Sequence, residues 1–190
     1  MDILYYLISL SLVAFMVLAT YDGFFLHLWK YKLYKHDESQ FEHKTHTIRA
    51  ILFPLIVWSL LLNTSFEFFI LGIILTFIDL IVLGVDAYSE KDSRRFMGGL
   101  PKWEYIVHLF ANGFHYAIIA LTIGLKLSVV NNSIHYVIAP STVTLASKML
   151  TLVAENAIPG AIILAVLHIL LSFKRTQDIL EGYRLRVICC

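Results

Sequence analysis

Charge is scarce in this sequence and cysteine is nearly absent. Of 190 residues only 15% are Asp, Glu, Lys or Arg, while 58% are hydrophobic and the mean hydropathy is +0.74. Soluble domains carry about 45–50% apolar residues, so the composition points to an integral membrane protein. Lys plus Arg number 15 and Asp plus Glu 14, a net charge of +1, which gives no concentrated basic footprint for nucleic acid. Both cysteines, Cys189 and Cys190, close the chain. A disulfide framework is therefore excluded. The sequence also has no internal repeat, no tandem His pair and no sign of a second domain.

Five long apolar runs are present. Residues 3–28 carry no charge before Asp22, and Met1-Asp2 offers no basic n-region, so this run reads as a retained span rather than a signal peptide. Residues 48–62 form a shorter span containing Pro54, 66–88 a third, 103–126 a fourth and 149–173 a fifth. About 20 helical residues cross a hydrocarbon core. The expected fold is an all-α bundle of about five transmembrane helices in one polytopic domain, 1–190. Residues 127–148 read as a mixed loop and 174–190 as a basic tail.

Thirteen of the 15 Lys and Arg fall in the first and third connections and the tail; only Lys126 and Lys148 fall on the other side. The positive-inside rule then puts the N-terminus outside and the C-terminus in the cytoplasm. The expected localisation is a bacterial inner membrane or its equivalent.

On that topology the buried ionisable residues converge on one half of the membrane. Asp22 and His27 lie near the inner end of span one, and His43 and His46 just before span two. Asp79 and Asp86 lie seven residues apart in span three, about 10 Å along a helix. In span four Glu104, His108, Asn112 and His115 share one helical face. Asp79, Asp86 and Glu90 share another if span three continues. Glu42 stands one turn before His46. Only Asp22 and His27, five residues apart and about 140° apart on an α-helical wheel, do not share a face. Intramembrane charges are functional hypotheses by default. Facing His and carboxylate stripes are also how helical bundles hold metals.

The expected ligands are Asp22, His27, His43, His46, Asp79, Asp86, Glu104, His108 and His115. They outnumber what one metal needs. The mixed His/carboxylate set favours a pair of irons, with zinc or manganese as alternatives, over copper(I). The competing structural reading pairs Asp86 and Glu104 with Arg49, Arg94 or Arg95, and gives His168 an interhelical hydrogen bond.

In design, His43-x-x-His46 and the ionisable residues near span ends resemble the integral-membrane diiron hydroxylases and desaturases, which carry cytoplasmic His-rich boxes. The resemblance implies dioxygen chemistry on a lipid or other hydrophobic substrate held in the bilayer. A zinc hydrolase, a divalent-metal or proton transporter using Asp79/His115 and Asp86/His108, and a haem-binding electron carrier are the other classes. The basic stretch from Tyr21 to Arg49 is expected to lie over the site as a lid.

Overall fold

In an apolar solvent a backbone must satisfy its own N–H and C=O groups, and helices do so within one segment. A computed structural model describes residues 2–137 and 143–188; Cys189 and Cys190 lie outside the described residues. Five long helices run through it: α1 (Asp2–Ala19), α2 (Gln40–Val57), α3 (Phe66–Ser93), α4 (Lys102–Lys126) and α5 (Leu145–Leu171), followed by α6 (Lys174–Ile188). α1 continues as a π-helix over Thr20–Lys30, and α2 as another over Trp58–Leu62. Five helical segments, Asp2–Lys35, Asp37–Leu62, Phe66–Met97, Lys102–Lys126 and Leu145–Leu171, are long and apolar enough to cross a membrane. Their outward faces carry apolar side chains such as Leu10, Phe77 and Ile163. Patches of that kind suit lipid better than water. The fold is consistent with a multi-pass membrane protein.

The stretch between spans one and two differs from the expected lid. Most of it is helical, and α2 begins at Gln40, so Glu42, His43 and His46 project from the first turns of a bundle helix. The region read as a mixed loop also has structure. Leu127–Val130 and Ser133–Tyr136 form β1 and β2 of an antiparallel hairpin, a small exception to the all-α expectation. Asn131 and Asn132 take the positive φ of its turn, a conformation Asn tolerates. The hairpin sits at the end remote from the polar cluster, where Tyr136 donates to the Thr64 carbonyl at 2.7 Å.

Helix ends are capped where the sequence supplies caps. Ser65 accepts from the Phe68 N–H at the start of α3, and Thr144 with Ser147 forms a capping box on α5. Gly98 and Gly99, both at positive φ, turn the chain from α3 into α4. α1 packs against α4 and α5, and α2 against α3 and α5. An alanine row on α5, Ala154, Ala157, Ala161 and Ala165, is buried and lets neighbouring helices approach closely. Gly72 does the same for α3: a Cβ there would meet Leu60 at 2.4 Å.

Candidate metal centre

A change of helical pitch builds the first part of the site. In a π-helix the i→i+5 bond stacks residues five apart. The Thr20–Lys30 segment thereby brings together the two residues that an α-helix would separate. Asp22 Oδ1 lies 3.3 Å from His27 Nε2.

The other contributors come from the adjoining helix ends. His108 on α4 places Nε2 2.9 Å from Asp22 Oδ1, while its Nδ1 meets Glu90 on α3. His108 is thereby held between two carboxylates, one at each ring nitrogen. A carboxylate on the far nitrogen is the usual support of a metal-binding imidazole. From α2, His46 Nε2 lies 3.3 Å from Asp86 Oδ2 and 3.5 Å from Glu42 Oε1. Among the described residues, two groups have donor atoms close enough for one ion: Asp22, His27, Glu104 and His108, and His27, Glu42 and His46.

These spacings suit coordination. Two donors bound at about 2.1 Å, at angles between octahedral and tetrahedral, stand about 3.0–3.4 Å apart. Asp22 to His27 and His46 to Asp86, both 3.3 Å, lie in that range, and Asp22 to His108, at 2.9 Å, lies just below it. Glu42 Oε1, His46 Nε2 and Glu104 Oε2 are buried without a hydrogen-bond partner. Each such group costs about 1–3 kcal/mol when left unsatisfied. A cation in each group would engage these residues. The buried His/Asp/Glu cluster could hold a metal ion.

Carboxylates outnumber guanidinium groups here: Arg94 meets Glu42 and Glu104, and Arg49 meets Asp79 and, at 3.9 Å, Asp86, while Asp22 and Glu90 have His108 as their partner.

Asp79 and His115 are not in either group. They form a separate pair deeper in the bundle, where Asp79 accepts from His115 Nε2 and Tyr116 at 3.1 Å and from Arg49 Nε at 3.2 Å. Arg49 Nη2 in turn donates to Asn112 Oδ1 at 2.8 Å. His43 also points elsewhere. Its Nε2 lies 3.1 Å from the His168 carbonyl oxygen, and the two rings stack at 5.3 Å. Asp86 is outside both groups but within reach of His46, and it accepts from Thr45 at 2.5 Å.

Two residues outside the expected ligand set matter. Glu42, marked in the sequence only by its spacing from His46, belongs to a donor group. Arg94, wholly buried, donates to Glu42 Oε2 at 2.6 Å and to Glu104 Oε1 at 2.5 and 2.9 Å. The pairing of Glu104 with Arg94, and of Asp86 with Arg49 at 3.9 Å, realises the structural reading, and Asp79 takes Arg49 as well. It leaves one oxygen of Glu104 and one of Glu42 unengaged.

Asp22, His46, Asp86, Glu90 and His108 form one wall of a cavity of about 290 Å³. Phe15, Met16, Phe53, Leu83 and Leu164 line the apolar part, and the deep Asp79/His115 pair borders it too. α3 and α4 are joined along it by side-chain contacts, Glu90 to His108 and Asp79 to His115, rather than by close helix packing. Tyr105 and Leu109 line the cavity yet are 57% and 59% exposed, so its mouth lies between these two helices, facing sideways. His27 lies too close to its neighbours to share a porphyrin with either: its ring centroid is 4.1 Å from that of His46 and 5.7 Å from that of His108. No family model, curated protein or solved structure matches this chain.

Proposed function

We propose that this protein is a membrane metalloenzyme whose centre, on the cytoplasmic side, oxidises or hydroxylates a lipid or other hydrophobic substrate. The observation that carries this reading is the cavity itself: an apolar wall, a His/carboxylate wall, and a mouth that opens sideways between α3 and α4. An apolar molecule dissolved in the bilayer would reach such a mouth without crossing water. Thirteen of 15 Lys and Arg on one side support the cytoplasmic orientation, with the N-terminus outside.

Asp22, His27, Glu104 and His108 would hold one metal, and Glu42, His46 and Asp86 the second. Imidazole with carboxylate suits iron, and also zinc or manganese. When bound, a pair of irons supplies dioxygen activation. The balanced reaction is a substrate C–H bond, dioxygen, two electrons and two protons giving an alcohol and water. The electrons come from an external reductant. Glu90 holds His108 in the tautomer that presents Nε2. Phe15, Phe53 and Leu164 exclude water and align the chain of the substrate.

The reading is tested by supplying iron-loaded protein in native lipid with ¹⁸O-labelled dioxygen and a reductant, then analysing the lipid extract by mass spectrometry. A lipid product carrying one ¹⁸O atom is expected. Product formed without dioxygen, by ester or amide cleavage, would instead identify the zinc-hydrolase class. Metal flux into vesicles without product would identify a transporter.

A further inference from the structure

Arg94 is the one fully buried guanidinium among the described residues, and it ends α3 in the middle of the acidic cluster. Its five donors are fixed in a planar fork and it stays protonated. Nη1 takes Glu42 Oε2 at 2.6 Å, and Nε and Nη2 take Glu104 Oε1 at 2.9 and 2.5 Å. Each glutamate is thereby bound through one oxygen only. The other oxygens, Glu42 Oε1 and Glu104 Oε2, are buried without a hydrogen-bond partner, as are His46 Nε2 and His27 Nδ1.

Nη2 also lies 3.1 Å from His27 Nε2. Arginine has no acceptor, so this contact requires a lone pair on Nε2 and the proton on Nδ1. His27 Nε2 belongs to both donor groups, and its lone pair is the form a metal binds.

We propose that Arg94 is the positioning residue of the metal centre. It anchors one oxygen each of Glu42 and Glu104, fixes the tautomer of His27, and yields only the His27 contact when a metal binds. The proposal rests on the metal-centre reading above. It differs from a gate, in which Arg94 would block the metal and its removal would tighten binding. It differs also from a purely structural ion pair, for which metal affinity would not change.

The test uses the full chain, purified in detergent and titrated with cobalt(II), with affinity and visible ligand-field spectrum measured for wild type, Arg94→Lys and Arg94→Gln. Loss of a residue that supports metal ligands typically lowers affinity about 10–100-fold. Arg94→Gln is expected to weaken binding by that factor and to shift the spectrum. Arg94→Lys, which keeps the charge but not the fork, should recover part of the affinity. Equal or tighter binding by Arg94→Gln overturns the proposal while leaving the metal centre intact. A wild type that binds no cobalt overturns both. Should Arg94→Gln not fold, the wild type decides alone: ¹⁵N NMR of the metal-free protein should give His27 as the Nδ1–H tautomer, and an Nε2–H signal contradicts the assignment.

Discussion

At the deep end of the cavity Asp79 accepts from His115, Tyr116 and Arg49. Toward the other end of α3 and α4, Asp86, Glu104 and His108 belong to a cluster in which Glu42, His46 and Glu104 keep buried polar atoms without a hydrogen-bond partner. Both regions use His, carboxylate and arginine. In the deep one a single carboxylate meets a single guanidinium and charge closes on itself. In the other, Arg94 takes one oxygen each of Glu42 and Glu104 and leaves the second oxygen of each without a hydrogen bond. Residue type alone does not make a metal site. What separates the two is whether protein donors already consume the acceptors.

The largest expected effect that would break this comparison is on metal load. His108→Ala and His27→Ala should each lose bound metal, whereas His115→Ala should retain it, as measured by elemental analysis of the purified variants. Equal loss in all three would erase the distinction between the regions.

Stability should show the opposite pattern. Asp79→Ala leaves Arg49 with only the more distant Asp86 as counter-charge, at 3.9 Å, and strands the Tyr116 hydroxyl. Breaking a buried pair costs about 3–5 kcal/mol; with Arg49 partly accessible to the cavity, about 3 kcal/mol is expected. Denaturant unfolding in detergent measures it, and metal content should be unchanged. Smaller again is the effect of narrowing the mouth. Ala87→Trp, on the α3 rim, should lower turnover several-fold at constant metal load, since it obstructs the apolar substrate without touching a donor.

The smallest effect concerns the tail. Glu181 on α6 pairs with Lys32 at 2.8 Å and Lys35 at 3.2 Å, and those ammonium groups hold its carboxyl below the usual glutamate range. A depressed folded-state pKa contributes stability that is present above the unfolded value of about 4.3 and is lost as pH falls through the folded value. Docking of α6 should therefore be constant from pH 8 to 5 and loosen only in stronger acid. Amide hydrogen exchange across Lys174–Tyr183 would follow it, and Glu181→Gln should abolish the pH dependence.

Much of the architecture was legible because hydropathy alone reports long helices in an apolar solvent. The shared faces of Glu104, His108 and His115, and of Asp79, Asp86 and Glu90, followed from α-helical spacing. Asp22 and His27 were different: they meet only because Thr20–Lys30 is wound as a π-helix, and a wheel drawn at 3.6 residues per turn separates them. Arg94 was hidden for another reason. It lies in Ser93-Arg94-Arg95, where two adjacent arginines look alike, and only tertiary structure buries the first and leaves the second exposed. His43 shares a face with His46 by spacing, but α5 supplies the His168 carbonyl that claims it, a partner from a distant part of the chain.

The central claim is that the His/carboxylate cluster around Arg94 holds metal. Elemental analysis of the wild-type protein, purified from cells without chelator, tests it most directly. About two equivalents of a divalent transition metal per chain, with iron predominant, is the predicted result. Protein that is folded and monodisperse yet carries no metal, and takes up none when iron, zinc or manganese is added, would contradict the account.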